Sequence, residues 1–174
     1  VLRYLDRPEE RAVSLGDPGL FSATVWSTEF VPTRTARVLA RYLDALVVRT
    51  FEHAKIEEMA RCADVPVVNA LTDASHPCQI LADLLTVTER FGADALSKGG
   101  LSVAWVGDGN NMANSWLEAC ALLRFELRLA CPAGYDPDPA LLAKTAGHAR
   151  VVRTPVEAVE GSHVVNTDVW ASMG

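Results

Sequence analysis

The chain has 174 residues, of which 49% are hydrophobic, and its formal net charge is −6. A chain of this size can bury a substantial core and is compatible with one or two small domains. The acidic balance excludes the basic footprint of a nucleic-acid-binding domain, and no apolar run approaches the roughly 20 residues that span a bilayer.

Strands and helices are predicted to alternate along the chain. The predicted elements, in chain order, are a helix through 38–43, a strand at 45–49, a helix at 56–62, a strand at 67–69, a helix at 77–91, a connector at 92–100, a strand at 101–106, a helix at 111–124, a strand at 126–130, a helix at about 138–147, and strands at 150–153 and 163–167. This alternation predicts an α/β fold of two parallel sheets with helices on both faces. The connector, rich in glycine and polar residues, predicts a boundary between two domains at 1–91 and 92–174, linked by the long helix and both incomplete.

The tetrapeptide His76-Pro77-Cys78-Gln79 stands where the long helix is predicted to begin. Proline suits the first turn of a helix, and the apolar residues that follow recur at helical spacing. His76 and Gln79 therefore lie at a helix N-terminus, where backbone N–H groups and the helix dipole favour an anion. An alternative is that His76 only caps the helix and Gln79 is a surface residue of its first turn. The tetrapeptide alone does not decide between them.

Polar side chains also follow four of the predicted strands. They are Arg49, His76, Asn111 and Asp168. Ligands of open parallel sheets bind beyond the carboxyl ends of the strands, so we expect these four residues along one edge. Taken singly, each is also typical of a rim charge, a helix N-cap or a turn.

Three segments occur in a fixed order: H-P-C-Q at 76–79, G-D-G-N-N at 107–111 and T-D-V-W-A-S-M-G at 167–174. Together they resemble the ornithine carbamoyltransferases of the aspartate/ornithine carbamoyltransferase superfamily, over about residues 35–174. Aspartate carbamoyltransferases share H-P-x-Q but lack D-x-W-x-S-M-G, so the resemblance points to ornithine.

The resemblance implies transfer of the carbamoyl group of carbamoyl phosphate to the δ-amine of L-ornithine, giving L-citrulline and phosphate in arginine metabolism. It implies no metal or cofactor, no nucleic-acid or membrane partner, and a homo-oligomer, which is a trimer in the family. The implied catalytic residues are Arg49, His76 and Gln79. Carbamoyl phosphate would be bound by Arg49, His76, Pro77, Cys78 and Gln79, and ornithine by Asn111, Asp168, Ser172 and Met173.

Some family features are missing from the chain. The S-T-R-T-R phosphate loop is not found; Pro32-Thr33-Arg34-Thr35 imitates it, but its position predicts the start of a helix with a threonine N-cap. The H-C-L-P motif would lie beyond Gly174, and the first thirty or so residues match no part of the family. We therefore expect a piece of a longer enzyme that is inactive by itself.

Other functions stay open at this point. They are another amino-acid or amine carbamoyltransferase, a non-catalytic relative that binds or assembles, and a dinucleotide-binding oxidoreductase, because Gly107-x-Gly109 follows a strand. Met112 replaces the third glycine of that last motif, which weighs against it.

The four cysteines show no C-x-x-C pairing, so reduced thiols in a cytoplasmic protein are expected. His53, His148 and His163 lack metal-ligand spacing, and Trp105 and Trp116 are expected in the core, with Trp170 left open.

Overall fold

A computed structural model describes residues 22–26, 31–96 and 100–169 of the chain. The elements in chain order are β1 (Ser22–Trp26), α1 (Pro32–Leu39), β2 (Ala45–Arg49), α2 (His53–Cys62), β3 (Val67–Leu71), α3 (Pro77–Phe91), β4 (Ser102–Val106), α4 (Asn111–Leu123), β5 (Glu126–Ala130), α5 (Pro139–Lys144), β6 (Ala149–Val152), α6 (Pro155–Val159) and β7 (Val164–Thr167). Their contacts form two compact units, one that ends at Asp73 and one that starts at Ala74. None of the described helices has the length and apolar character needed to cross a membrane.

The first unit contains a three-stranded parallel sheet in the order β1-β2-β3. Side chains of β2 alternate between the two faces, as the period of two in a strand requires, and Leu46 and Val48 are fully buried. They pack with Ala36 of α1 and with Ile56 and Met59 of α2 in one cluster. This core holds the carboxyl end of β2, and with it Arg49, in a defined place within the unit.

The second unit contains a four-stranded parallel sheet in the order β6-β5-β4-β7. Strand β4 is central and buried on both faces, which is typical of parallel sheets covered by helices. Val103 and Trp105 of β4 face the cluster that contains residues of α3 and α4. Ala104 faces the opposite side, where it packs with Ala158 of α6. The predicted class, parallel-sheet α/β with helices, is confirmed.

Several element boundaries differ from the sequence-based expectations. Helix α1 ends at Leu39 instead of continuing to Leu43, and its N-cap is Val31, whose side chain makes no capping hydrogen bond. The expected threonine cap is therefore wrong: Thr33 lies inside the first turn, and its hydroxyl donates to Glu58 of α2. Strand β1 and helix α6 were not predicted.

Helix α6 had a recognisable local signal. The side chain of Thr154 accepts a hydrogen bond from the backbone of Glu157, and the Glu157 side chain accepts one from the backbone of Thr154, which together form a capping box. Pro155 occupies the first helical position. The sequence T-P-V-E therefore predicts this helix start, although the helix is too short to show an apolar period.

Candidate functional site

The carboxyl ends of β2 and β3 are joined by hydrogen bonds within the first unit. Arg49 is the last residue of β2, and the segment that follows it pairs with the segment after β3. The backbone N–H of Asp73 donates to the Phe51 carbonyl at 2.8 Å, and the His53 N–H donates to Asp73 Oδ1 at 3.1 Å. His53 Nδ1 also lies 2.9 Å from Thr72 Oγ1. His53 is the first residue of α2, and these contacts fix the turn beyond Arg49.

The H-P-C-Q tetrapeptide forms the start of α3. His76 is the N-cap residue, Pro77 is the first helical residue, and the His76 side chain makes no capping hydrogen bond. The alternative that the His76 side chain only caps the helix is therefore not supported by the structure. The N–H groups in the first turn of any helix have no carbonyl acceptor within the helix. The start of α3 therefore attracts anions.

The side-chain amide of Gln79 has a defined orientation. Its Nε2 donates to Asp83 Oδ1, one turn further along α3, at 2.9 Å. An amide held through its nitrogen presents its oxygen, which is an acceptor, to the other side. Gln79 is exposed, whereas Asp83 is half-buried and orients the Gln79 amide.

Ser115 connects the start of α3 to the start of α4 within the second unit. Its hydroxyl accepts a hydrogen bond from the His76 backbone N–H at 2.8 Å and donates to the Asn111 carbonyl at 2.7 Å. A second contact runs in parallel, from Asn114 Nδ2 to the Ala74 carbonyl at 3.1 Å. Ser115 is only 1% exposed, so water does not replace these hydrogen bonds. Two of the residues singled out by the sequence, His76 and Asn111, are therefore close together.

The loop between β4 and α4 brings in Asp168. The side-chain oxygen of Asn110 accepts from two backbone N–H groups of the first turn of α4, at 2.9 and 3.1 Å, so Asn110 is the N-cap. The idea that Asn111 caps this helix is wrong; Asn111 is the first helical residue and is 2% exposed. Asn110 Nδ2 donates to Asp168 Oδ2, immediately after β7, at 2.9 Å.

Gly109 is required by a close approach of two loops. A Cβ atom at this position would lie 2.2 Å from the backbone nitrogen of Pro137 and 2.4 Å from the carbonyl carbon of Asp136. The N–H of Gly109 donates to the Tyr135 carbonyl at 2.7 Å. Packing against this neighbouring loop accounts for the second glycine of G-D-G without a bound dinucleotide.

Two of the thiols are unsuited to nucleophilic chemistry at neutral pH. Burial raises the pKa of Cys120 to about 11, and burial together with the nearby Asp136 carboxylate raises that of Cys131 to about 11. None of the four cysteines is joined in a disulfide. Within 31–96 and 100–169, no group of three or more His, Cys, Asp or Glu side chains is arranged to hold a metal ion.

The predicted site residues thus fall at the edges of two sheets. Arg49 ends a strand of the first sheet, whereas Asp168 follows a strand of the second; that the four residues share one edge stays a prediction. Trp105 and Trp116 are core residues with no exposure, as expected. Ser172 and Met173, like Trp170, lie outside the described residues.

Sequence reasoning missed the two connecting residues, Ser115 and Asn110. Asn110 carried a signal, since asparagine directly before an apolar helix is a preferred N-cap. Ser115 carried none, because a serine inside a helix is compatible with a surface position as well as a buried contact. Only the packing of α3 on α4 distinguishes the two.

Comparison with known proteins supplies independent information. Residues 19–89 match the family model described as "Aspartate/ornithine carbamoyltransferase, carbamoyl-P binding domain". Residues 99–174 match "Aspartate/ornithine carbamoyltransferase, Asp/Orn binding domain". The expectation that the first thirty or so residues match no part of the family is therefore wrong from residue 19 onward.

Similar individual proteins agree with these models. An ornithine carbamoyltransferase of Pelobacter propionicus is 52% identical over 167 residues, which are 92% of this chain and 53% of that protein. An anabolic ornithine carbamoyltransferase of Pseudomonas aeruginosa is 52% identical over 140 residues, 80% of this chain and 45% of that protein. The crystal structure of ornithine carbamoyltransferase from Thermus thermophilus superimposes with a TM-score of 0.74 at 47% identity, covering 82% of this chain and 47% of that one. The chain spans about half the length of the curated relatives it matches.

Proposed function

We propose, because this chain belongs to the aspartate/ornithine carbamoyltransferase family, that it is part of an enzyme that carbamoylates the δ-amine of L-ornithine. The reaction would consume carbamoyl phosphate and release L-citrulline and phosphate, as a step of arginine metabolism. The choice of ornithine rests on relatives that carry the name ornithine carbamoyltransferase at 52% identity. The linked placement of His76, Asn111 and Asp168 in the second unit supports it.

The proposed chemistry is attack of a neutral amine on the carbonyl carbon of carbamoyl phosphate. Negative charge develops on the carbonyl oxygen in the transition state, so fixed donors aimed at that oxygen lower the barrier. We assign this role to Arg49 and His76, with Arg49 also contacting the phosphate. The phosphate would be bound at the N-terminus of α3, formed by Pro77 and Cys78, where the helix dipole favours an anion.

Gln79 would recognise the carbamoyl group itself. The hydrogen bond from its Nε2 to Asp83 leaves Oε1 available as an acceptor for the carbamoyl NH2. An acetyl or phosphoryl group has no such donor, so the amide oxygen would select against both. A site built for a particular hydrogen bond rejects analogues that cannot make it.

The amino-acid substrate requires two partners of opposite character. Asp168 would pair with the α-ammonium group of ornithine, assisted by the Ser172 hydroxyl. Asn111 and the backbone at Met173 would hold the α-carboxylate. Fixing both reactants in this way contributes a proximity term that lowers the barrier by several kcal/mol.

The remaining parts of the proposal concern the whole protein. We propose a carbamoyl-phosphate domain at 1–91 and an ornithine domain at 92–174. Family models that end at residue 89 and begin at residue 99 support this division, whereas the compact units divide before α3, at Asp73 and Ala74. We also propose a homo-oligomer, a trimer by family resemblance, in the cytoplasm. A cytoplasmic location is in keeping with four cysteines that form no disulfide.

Substitution of the proposed oxyanion donors in the full-length protein tests the function. We expect His76→Ala and Arg49→Ala each to lower kcat for citrulline formation by about 100-fold or more, the loss typical of an oxyanion donor. His148→Ala is the control, because His148 is exposed and hydrogen-bonds to Thr145 and Leu127 through its backbone. Near-normal turnover of either variant would refute the role of that residue. Absence of citrulline with the unmodified protein, while another amine is carbamoylated, would refute the choice of ornithine.

A further inference from the structure

We propose that Asn110 is a positioning residue for the proposed amine-binding carboxylate, and that it tunes the affinity for the amino-acid substrate without contacting it. The inference rests on the proposed function, in which Asp168 binds the α-ammonium group of ornithine. It is carried by one side-chain amide that is hydrogen-bonded at both ends within the second unit.

The orientation of the Asn110 amide follows from its surroundings. Its oxygen accepts from the N–H groups of Met112 and Ala113 at 2.9 and 3.1 Å. Only an oxygen can accept from backbone donors, so the amide cannot be turned by 180° without losing both hydrogen bonds. The nitrogen must therefore face Asp168, and it donates to Oδ2 at 2.9 Å. Because Asn110 is 6% exposed, solvent does not compete effectively for these contacts.

Asp168 is thereby held at both of its carboxylate oxygens. Oδ2 accepts from Asn110, and Oδ1 accepts from the backbone N–H of Val169 at 2.8 Å. Each carboxylate oxygen has two acceptor sites, so a lone pair remains on each for an incoming ammonium group. A neutral amide donor orients the carboxylate and leaves its negative charge intact. A lysine or arginine at this position would compete with the substrate for that charge.

The same residue couples the substrate site to the start of α4. The side-chain oxygen of Asn110 is hydrogen-bonded to the first turn of α4, and its side-chain nitrogen is hydrogen-bonded to Asp168. Asn111, the next residue, is the proposed partner of the substrate carboxylate. The N-terminal turn of α4 therefore sets the spacing between the two groups that would bind the opposite charges of an amino acid.

Substitutions that keep the helix cap but change the contact with Asp168 test the inference in the full-length protein. Serine and aspartate both serve as N-caps. Asn110→Ser loses the donor to Asp168, and Asn110→Asp replaces the donor by a second carboxylate. We expect KM for ornithine to rise about tenfold in Asn110→Ser, the loss that about 1.4 kcal/mol represents, and further in Asn110→Asp. The dissociation constant for carbamoyl phosphate and the melting temperature should stay close to those of the unmodified protein.

The control is Thr154→Ser, an exchange of one N-cap residue for another at α6, which should leave every parameter unchanged. An unchanged KM for ornithine in both Asn110 variants would overturn the inference. So would a parallel loss of carbamoyl-phosphate affinity, ornithine affinity and melting temperature, because that pattern indicates a purely structural cap. Failure of the unmodified protein to form citrulline would instead refute the proposed function.

Discussion

The hydroxyl of Ser115 links the two helix starts that carry most of the proposed site, and its removal gives a quantitative test of that link. In the unmodified protein the Ser115 hydroxyl accepts a hydrogen bond from the His76 N–H at 2.8 Å and donates one to the Asn111 carbonyl. Ser115→Ala removes both hydrogen bonds. Loss of the hydrogen bond to the Asn111 carbonyl is a small effect, because a serine that donates to the carbonyl four residues earlier adds little to a helix. Loss of the acceptor for the His76 N–H is a larger effect, because a buried donor left without an acceptor costs about 1–3 kcal/mol.

This cost should appear in catalysis as well as in stability. His76 is the residue proposed to contact the carbamoyl oxygen, and its backbone is what Ser115 holds. If the whole cost fell on the transition state, kcat/KM for carbamoyl phosphate would drop by about 5- to 150-fold, at 1.36 kcal/mol for each factor of ten. If it fell on folding alone, the melting temperature of a domain of 150–250 residues would fall about 2–4 °C for each kcal/mol. Citrulline formation and thermal unfolding of the full-length protein measure both.

Ser162→Ala is a matched control for this experiment. The Ser162 hydroxyl donates to the Ala158 carbonyl, also four residues earlier, at 2.6 Å. Ser162→Ala therefore removes a hydrogen bond of the same type as the one from Ser115 to Asn111, at a position outside the proposed site. We expect kcat/KM to stay within about twofold of the unmodified value, as for a surface substitution of small energetic effect. Equal effects of the two substitutions, or no effect of Ser115→Ala, would refute the reasoning.

The remaining predictions concern the packing of Gly109 and the exposure of the thiols. Gly109→Ala should lower the free energy of unfolding by about 1–3 kcal/mol or more, since the added Cβ would overlap the backbone of Pro137. Gly100→Ala is the control: Gly100 has open space around it, so this substitution should leave the melting temperature unchanged. Cys78 is exposed and Cys120 is buried with a pKa of about 11, so iodoacetamide at neutral pH should modify Cys78 and spare Cys120, as peptide mass spectrometry would show. Carbamoyl phosphate should slow the modification of Cys78 in the full-length protein; equal rates with and without it would argue against binding at the start of α3.

Much of the fold is determined by short-range features of the sequence. Helix α3 spans 77–91 as predicted, because Pro77 sets its first turn and the apolar residues after it keep a helical period. Strands β2 and β5 begin and end at the predicted residues. The run A-L-V-V suits a buried parallel strand in β2, and leucines alternate with charged residues in β5, as the period of two in a strand requires. Identification of the family likewise needed only the order of three short motifs, which the family models at 19–89 and 99–174 support.

Tertiary structure decided what those motifs are next to. The sequence placed Asn111 after a strand, but it did not show that Asn110 is the cap and that its amide reaches Asp168, 58 positions away. It also did not show that Ser115 supports His76, or that Gly109 lies against Pro137. These contacts join residues far apart in the chain, and their energies depend on burial and on the approach of two backbones. Local periodicity and capping preferences carry no information about either, so the sequence could indicate candidate residues for the site but not the contacts that support them.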